Sequence, residues 1–296
     1  MASLFGATPV HSRSSRIYDP WEVTDGDGKL WRFVSDSSID ATDSHGRPLD
    51  SYTGRSYKVE MNSPKLEYSE MGKLQEVVRA LRRAGAVVNK SCGLHVHVDA
   101  SQHTAQSLKN ALSIMYSKED ILFKALKVNE RRVESYCKKV KESKLQKIRG
   151  LPSCASIGRM ENLWYSDAYE GESRSDHYNS TRYYALNLHS VFYRGTLEFR
   201  CFESNLHAGK VRAYITLALA ISAQAINQKR TVMRKTEISE NPAFTFRTFL
   251  LRLGLIGPEF KNVRKHLLEN LPGDPAWRYG KENYECWNRR TRADER

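Results

Sequence analysis

Two stretches, Gly93-Leu-His-Val-His-Val-Asp99 and Gly195-Thr-Leu-Glu-Phe-Arg-Cys-Phe202, alternate apolar and polar residues with a period of two, the second as far as Cys201. Only a β-strand sorts that pattern onto two faces, because successive side chains point to opposite sides of a sheet. In the first stretch Leu94, Val96 and Val98 make a core face, while His95, His97 and Asp99 project together from the other. In the second, Leu197, Phe199 and Cys201 oppose Thr196, Glu198, Arg200 and Phe202. Two further segments share the design. Tyr57, Val59 and Met61 alternate with Lys58 and Glu60 before a stop at Asn62-Ser63-Pro64, and in residues 183–189 Leu186 and Leu188 oppose Asn187 and His189. The four are expected to form one sheet whose concave polar surface gathers Glu60, His95, His97, Glu198 and Arg200 over buried Leu94, Val96, Leu197 and Phe199.

Helical spacing fills the intervals. Leu74, Val77, Val78 and Leu81 fall at i, i+3, i+4 and i+7, with Gly85 as the expected C-cap. Leu108, Ala111, Leu112 and Met115, then Ile121, Leu122, Ala125 and Leu126, predict two helices within 104–127. Residues 211–227 are apolar almost all round and predict a buried helix; two more are expected at about 243–253 and 258–270. Residues 131–149 carry eight Lys or Arg against Glu134 and Glu142, which reads as a polar helix with a peripheral, solvated face. Residues 150–181, rich in Gly, Ser, Asp and Tyr, read as a loop or lid. Residues 1–56 hold short strands at Trp21–Val23 and Leu30–Val34 around the turn Asp25-Gly26-Asp27-Gly28, and are otherwise loosely specified. The expected division is therefore an N-terminal region, 1–56, and a main domain, 57–296, that contains the 131–181 basic helix and loop, followed by a charged tail, RRTRADER.

At 296 residues and 40% apolar the chain can bury a sizeable core, and its formal charge of +13 suits a polyanion, either nucleic acid or nucleotide phosphates. The five cysteines, Cys92, Cys137, Cys154, Cys201 and Cys286, contain no CxxC pair, which argues against a disulfide framework or zinc ribbon and for a reducing compartment. The N-terminus lacks the apolar stretch of a secretory signal, and Ile215–Ile226 is too short and too rich in small and polar residues to span a bilayer. A soluble cytoplasmic protein without a membrane partner is expected. Neither GxxxxGK[ST] nor GxGxxG after a strand is present.

Imidazoles two residues apart on a strand suit a divalent cation through neutral nitrogen, or a phosphate through the charged ring. Carboxylates from other strands, Glu60 and Glu198, would complete the hard oxygen coordination that Mg²⁺ prefers when it also holds phosphates. Arg200 beside Glu198 supplies a fixed fork for a phosphoryl group. The same patterns also arise as an ordinary polar strand face and as an ion pair within a sheet.

The order of the motifs is similar to that in the predicted amidoligase family, of the glutamine synthetase and glutamate-cysteine ligase superfamily. The carriers are Asp36-Ser-Ser-Ile39, Val59-Glu-Met-Asn-Ser-Pro64, the run from Val88 through Gly93-Leu-His-Val-His to Asp99, Tyr184-Ala-Leu-Asn-Leu188, Thr196-Leu-Glu-Phe-Arg-Cys-Phe202 and Leu206-His-Ala-Gly-Lys-Val-Arg212. The resemblance spans about Trp31 to Trp277. It implies an α+β fold with a curved antiparallel sheet and helices packed on its outer, apolar face, like the glutamine synthetase catalytic domain. The implied activity is an ATP-dependent carboxylate-amine ligase that forms an amide through an acyl phosphate, with small-molecule or peptide carboxylate and amine substrates. The cofactors implied are ATP and Mg²⁺, with Mn²⁺ as a substitute.

By the same resemblance Glu60, His95 and Glu198 are the expected metal ligands, His97 and Arg200 the nucleotide and phosphate contacts, Glu198 and Arg200 the catalytic pair, and Arg182 and Asn187 the substrate contacts. One departure stands out. Family members begin with a Gly-x-Glu-x-Glu strand whose carboxylates bind metal, whereas here the start reads Leu4-Phe-Gly-Ala-Thr-Pro-Val-His11. That motivates an alternative, a catalytically impaired homologue that binds nucleotide or a peptide-like ligand. A nucleic-acid-binding protein is the third possibility, motivated by charge alone, and explains none of the His-x-His and Glu-x-Arg placement.

Overall fold

In a computed structural model, which describes residues 1–232 and 234–284, the chain gathers into two units, residues 1–93 with 204–212 and residues 94–203 with those from 213 onward. The charged tail and Cys286 lie outside the described residues.

The first unit contains a short helix α1 (Ala2–Phe5), strands β1 (Val10–His11), β2 (Trp21–Thr24), β3 (Leu30–Ser35) and β4 (Val59–Asn62), and helix α2 (Met71–Arg83). The strands form an antiparallel sheet in the order β1-β2-β3-β4. Val23 opposite Trp31 places both on one face, where both are buried, as are Met71, Leu74, Val77 and Val78 along α2. The turn between β2 and β3 is more than a polar bend. The buried Asp25 carboxylate accepts the backbone N–H groups of Asp27 and Lys29, the Trp31 indole (3.0 Å) and the Lys73 ammonium (2.9 Å). Burial would raise this carboxyl, but the Trp31 and Lys73 donors hold it below the usual carboxylate range. Gly28, with φ +77°, supplies the left-handed residue the turn needs.

β4 pairs with β3 in this sheet, Glu60 standing opposite Val34. The expectation that all four alternating strands share one sheet is therefore corrected. Alternation fixes which face a residue takes but not which neighbour its strand pairs with, and residues 57–62 pair with residues 32–35 of the preceding segment.

The second unit runs through β5 (Gly93–Asp99), α3 (Ala105–Leu126), α4 (Glu130–Ser135), α5 (Glu142–Arg149), α6 (Ile157–Trp164), β6 (Leu186–Asn187), α7 (His189–Arg194), β7 (Thr196–Glu203), α8 (Ala208–Asn227, from residue 213 on), α9 (Pro242–Arg252) and α10 (Lys261–Leu268). Its sheet has the order β5-β7-β6, with β6 antiparallel to β7. The core combines Leu108, Leu112 and Met115 of α3, Leu197 and Phe199 of β7, Leu217 and Ile221 of α8, and Phe246 and Leu250 of α9. The chain is thus α+β, with antiparallel strands and helices. No helix among the described residues is long and apolar enough to cross a membrane.

Several expectations change in detail. Residues 105–126 form one helix, since nothing between Met115 and Ile121 breaks it; Thr104 caps its start by accepting the Ser107 N–H, and Lys127 ends it in the left-handed region at φ 51°. The strand expected over 183–189 shrinks to two residues, because Ser180–Tyr183 closes a 3₁₀ turn capped by Asn179 and His189 opens α7. The stretch 150–181 contains a true helix, α6, whose Met160 and Trp164 are buried. The basic segment is two helices, and two of its cations face inward. Lys144 is fully buried between the Trp164 and Tyr184 rings (4.8 and 5.5 Å), and Arg132 donates from Nη2 to the Arg200 carbonyl (3.0 Å). Counting charges along the sequence does not reveal that Leu145 and Ile148 draw α5 into the core and carry Lys144 with them.

Candidate active site

The sheet of the second unit brings His95 and His97 from β5, Asn187 from β6, and Glu198 and Arg200 from β7 to one face. Asn187 stands directly across from Glu198 in the β6–β7 ladder. Its Nδ2 donates to Glu198 Oε2 at 2.5 Å, and Arg200 Nη1 donates to Glu198 Oε1 at 2.6 Å. His95 Nδ1 and His97 Nε2 approach the same Oε1 at 3.4 and 3.6 Å. One carboxylate is therefore the hub of the cluster, and it is nearly sealed, with Glu198 3% and Arg200 4% exposed.

That burial corrects one expectation from the strand pattern. The polar face of β7 is not an open working surface: its side chains from Leu197 to Phe202 are buried on both sides of the sheet. Glu198 and Arg200 form a buried, hydrogen-bonded ion pair. Burial alone would raise the Glu198 carboxyl, and Arg200, ahead of the imidazoles and Asn187, more than reverses this and brings it down to about 2.

The imidazoles stay neutral. The side chains of His95 and His97 are 31% and 37% exposed, yet desolvation by the surrounding protein, followed for His95 by the Arg200 charge, lowers His95 to about 3 and lowers His97 as well. His97 Nδ1 lies 2.9 Å from Thr196 Oγ1, which is itself 2.9 Å from Ser190 Oγ. Those hydroxyls fix the ring's orientation, so one ring nitrogen meets hydroxyl groups and the other faces the carboxylate.

Around this hub stand groups that the alternating pattern does not disclose. Arg182 donates to the His177 carbonyl (2.9 Å), and Arg194 Nη2 approaches His177 Nδ1 at 3.1 Å. Desolvation, with Arg182 and Arg194 next, lowers His177 to about 4. The Arg194, Arg200 and Arg182 charges all reach His97. Tyr183 lies against both Arg182 and Arg200, with guanidinium carbons 5.6 and 5.8 Å from its ring centre. Of this surround the family resemblance names Arg182 as a substrate contact; the further sequence signal is the adjacent Arg182-Tyr183 and Tyr193-Arg194 pairs, because a guanidinium beside an aromatic ring stacks readily. Glu60 is carried by the sheet of the first unit and is exposed.

The model of the family described as "Putative amidoligase enzyme" matches residues 1–222. The chain belongs to the amidoligase family. No curated protein and no solved structure matches it. Membership points to an amide-bond-forming ligase with small-molecule substrates.

In this amidoligase the donors around Glu198 do not fit a ready-made Mg²⁺ or Mn²⁺ site. Among the described residues no group of three or more His, Cys, Asp or Glu side chains is arranged to hold a metal ion. The single carboxylate of the cluster already gives both oxygens to Arg200 and Asn187, whereas Mg²⁺ demands oxygen ligands in near-ideal octahedral array. The guanidinium groups, by contrast, suit an anion. Arg200 spends Nε on the Tyr136 carbonyl (3.1 Å) and Nη1 on Glu198, and a guanidinium carries five N–H donors in all.

Proposed function

We propose that this amidoligase joins a small-molecule or peptide carboxylate to an amine at the expense of ATP, through an acyl phosphate, on a glutamine synthetase-like curved sheet. The observation that carries the proposal is the placement of Arg182 and Arg200 against one ring, Tyr183, with Arg194 joined to Arg182 through His177, beside a cluster in which Arg200 and both imidazoles meet one carboxylate, Glu198. In the first step a substrate carboxylate oxygen attacks the γ-phosphorus, and ADP leaves with the bonding electron pair. The three guanidinium groups would neutralise charge on the phosphoryl oxygens as it passes. In the second step the amine attacks the acyl carbon, inorganic phosphate leaves, and the amine proton passes to solvent or buffer. Glu198, held near 2 with both oxygens already taken by Arg200 and Asn187, is too acidic to act as the base; its work is to hold Arg200 and keep the two imidazoles oriented. His97, with its ring partly exposed, is the proposed nucleotide contact, and Asn187 acts on substrate only through Glu198.

The direct test is ADP release from ATP with panels of carboxylates and amines. Arg182→Gln is the informative variant because Arg182 is only half-buried, and release is expected to fall about 10³-fold while thermal melting is little changed. Unchanged release in Arg182→Gln would end the phosphoryl role. ATP binding without turnover under any substrate pair would instead identify a homologue that binds nucleotide only.

A further inference from the structure

Two cations side by side repel, and Arg200 is close enough to be felt at Arg182: after desolvation, it is the next cause lowering Arg182. What lies against both is an aromatic ring. Tyr183 presents its ring to the Arg182 guanidinium at 5.6 Å and to the Arg200 guanidinium at 5.8 Å, inside the range in which the negative ring face attracts a cation. The ring itself is fixed from several directions. The 3₁₀ turn that carries it is capped by Asn179 Oδ1 on the Thr181 N–H, and the Tyr183 carbonyl accepts the Lys138 N–H at 2.8 Å. Tyr136 meets the ring edge-on, with centroids 6.1 Å apart, and gives its own carbonyl to Arg200 Nε. Backbone, neighbouring ring and both guanidinium groups thus all converge on Tyr183.

We propose that Tyr183 is a positioning residue that holds Arg182 and Arg200 side by side as one clamp for a phosphoryl anion. The proposal rests on the phosphate role given to these arginines above. The charges agree with a phosphoryl anion: Arg182 and Arg200, both against the Tyr183 ring, outnumber the one carboxylate, Glu198, that pairs with Arg200. No phosphate-binding role for Tyr183 follows from its hydroxyl; the ring carries the effect. Phenylalanine should therefore replace it and an aliphatic residue of similar bulk should not.

The test uses the full chain and two probes, ATP and inorganic pyrophosphate, with affinities measured by calorimetry for wild type, Tyr183→Phe and Tyr183→Leu. Tyr183→Phe is expected to bind both probes like wild type, and Tyr183→Leu about tenfold more weakly, the scale of a partly desolvated cation–π contact. Because Tyr183→Leu could weaken the fold as well, the same change is made in an Arg182→Gln background, where its effect on affinity should shrink to less than about threefold. A merely structural role would leave that effect the same in both backgrounds. Equal binding by the Phe and Leu variants, or a Leu effect undiminished by Arg182→Gln, overturns the positioning role alone. Failure of wild type to bind either probe overturns the phosphate reading and the clamp with it.

Discussion

At the scale of single residues the decisive fact is that Glu198 and Arg200 are a sealed pair. The sequence pattern places Arg200 on a polar face, from which its loss should leave the fold intact; its burial reverses that expectation. Removing one member of a buried, hydrogen-bonded ion pair leaves the other charge uncompensated, so Arg200→Ala is expected to cost about 3–5 kcal/mol. Chemical denaturation of the variant checks this, and a loss below about 1 kcal/mol would show that water reaches the pair. The Glu198 carboxyl sits near 2 against an ordinary 4.5, so its contribution to stability is fully present above about 4.5 and is lost as pH falls through about 2. Arg200→Ala should therefore also flatten the acid limb of the stability curve. These two residues could be placed on one strand face from sequence, whereas their enclosure could not, because it depends on Asn187 and on Arg132 and Tyr136 of α4 and its C-cap, which arrive from two other segments.

At the scale of elements the period-two strands and the longer helices are legible, and their partners are not. His95, His97, Glu198 and Arg200 meet as the alternation implies, since β5 and β7 belong to one sheet. Glu60 shares the same alternation, yet β4 pairs with β3, because nothing in a strand's own pattern names its neighbour. Helix α3 shows a further limit. Glu119 lies on its buried side, and Oε1 accepts the Val140 N–H (2.9 Å), tying the 137–141 segment to the helix. Oε2 has no hydrogen-bond partner among the described residues. Burial pushes this carboxyl up to about 7 from an ordinary 4.5. Between those values the folded chain keeps a proton that the unfolded chain has lost, so stability falls as pH rises through the window and the penalty is complete above about 7. Glu119→Gln, which keeps the acceptor for Val140, is expected to be more stable than wild type at about pH 8, by on the order of 2 kcal/mol, and to match it near pH 5. Melting of the two proteins across that range measures the difference directly, and parallel curves would show that Glu119 ionises freely in the folded chain.

At the scale of the whole molecule the +13 charge invites a nucleic-acid partner, and the disposition of the cations argues against it. Within the basic segment Arg132 and Lys144 are buried, Lys139 pairs with Asp120 (2.5 Å), and Lys147 pairs with Asp167 (3.2 Å). What faces outward in this segment without such a pair among the described residues is Arg131, Lys138, Lys141 and Arg149, too few to neutralise a long run of phosphates. Such a surface supports only counterion-release binding, which at physiological salt gives dissociation constants of about 10⁻⁴ to 10⁻⁶ M and weakens steeply as salt rises. Duplex DNA and single-stranded RNA are therefore expected to bind no tighter than about 1 μM at about 0.15 M salt. The combined change Lys138→Gln, Lys141→Gln and Arg149→Gln should reduce that weak binding while leaving ADP release as it was, because none of the three belongs to the Glu198 cluster. Binding in the nanomolar range that survives added salt and disappears in the triple variant would show that this surface has a nucleic-acid partner. Loss of ADP release in the same variant would show that the outward charges serve the active site after all, as a field that draws nucleotide toward the Glu198 cluster.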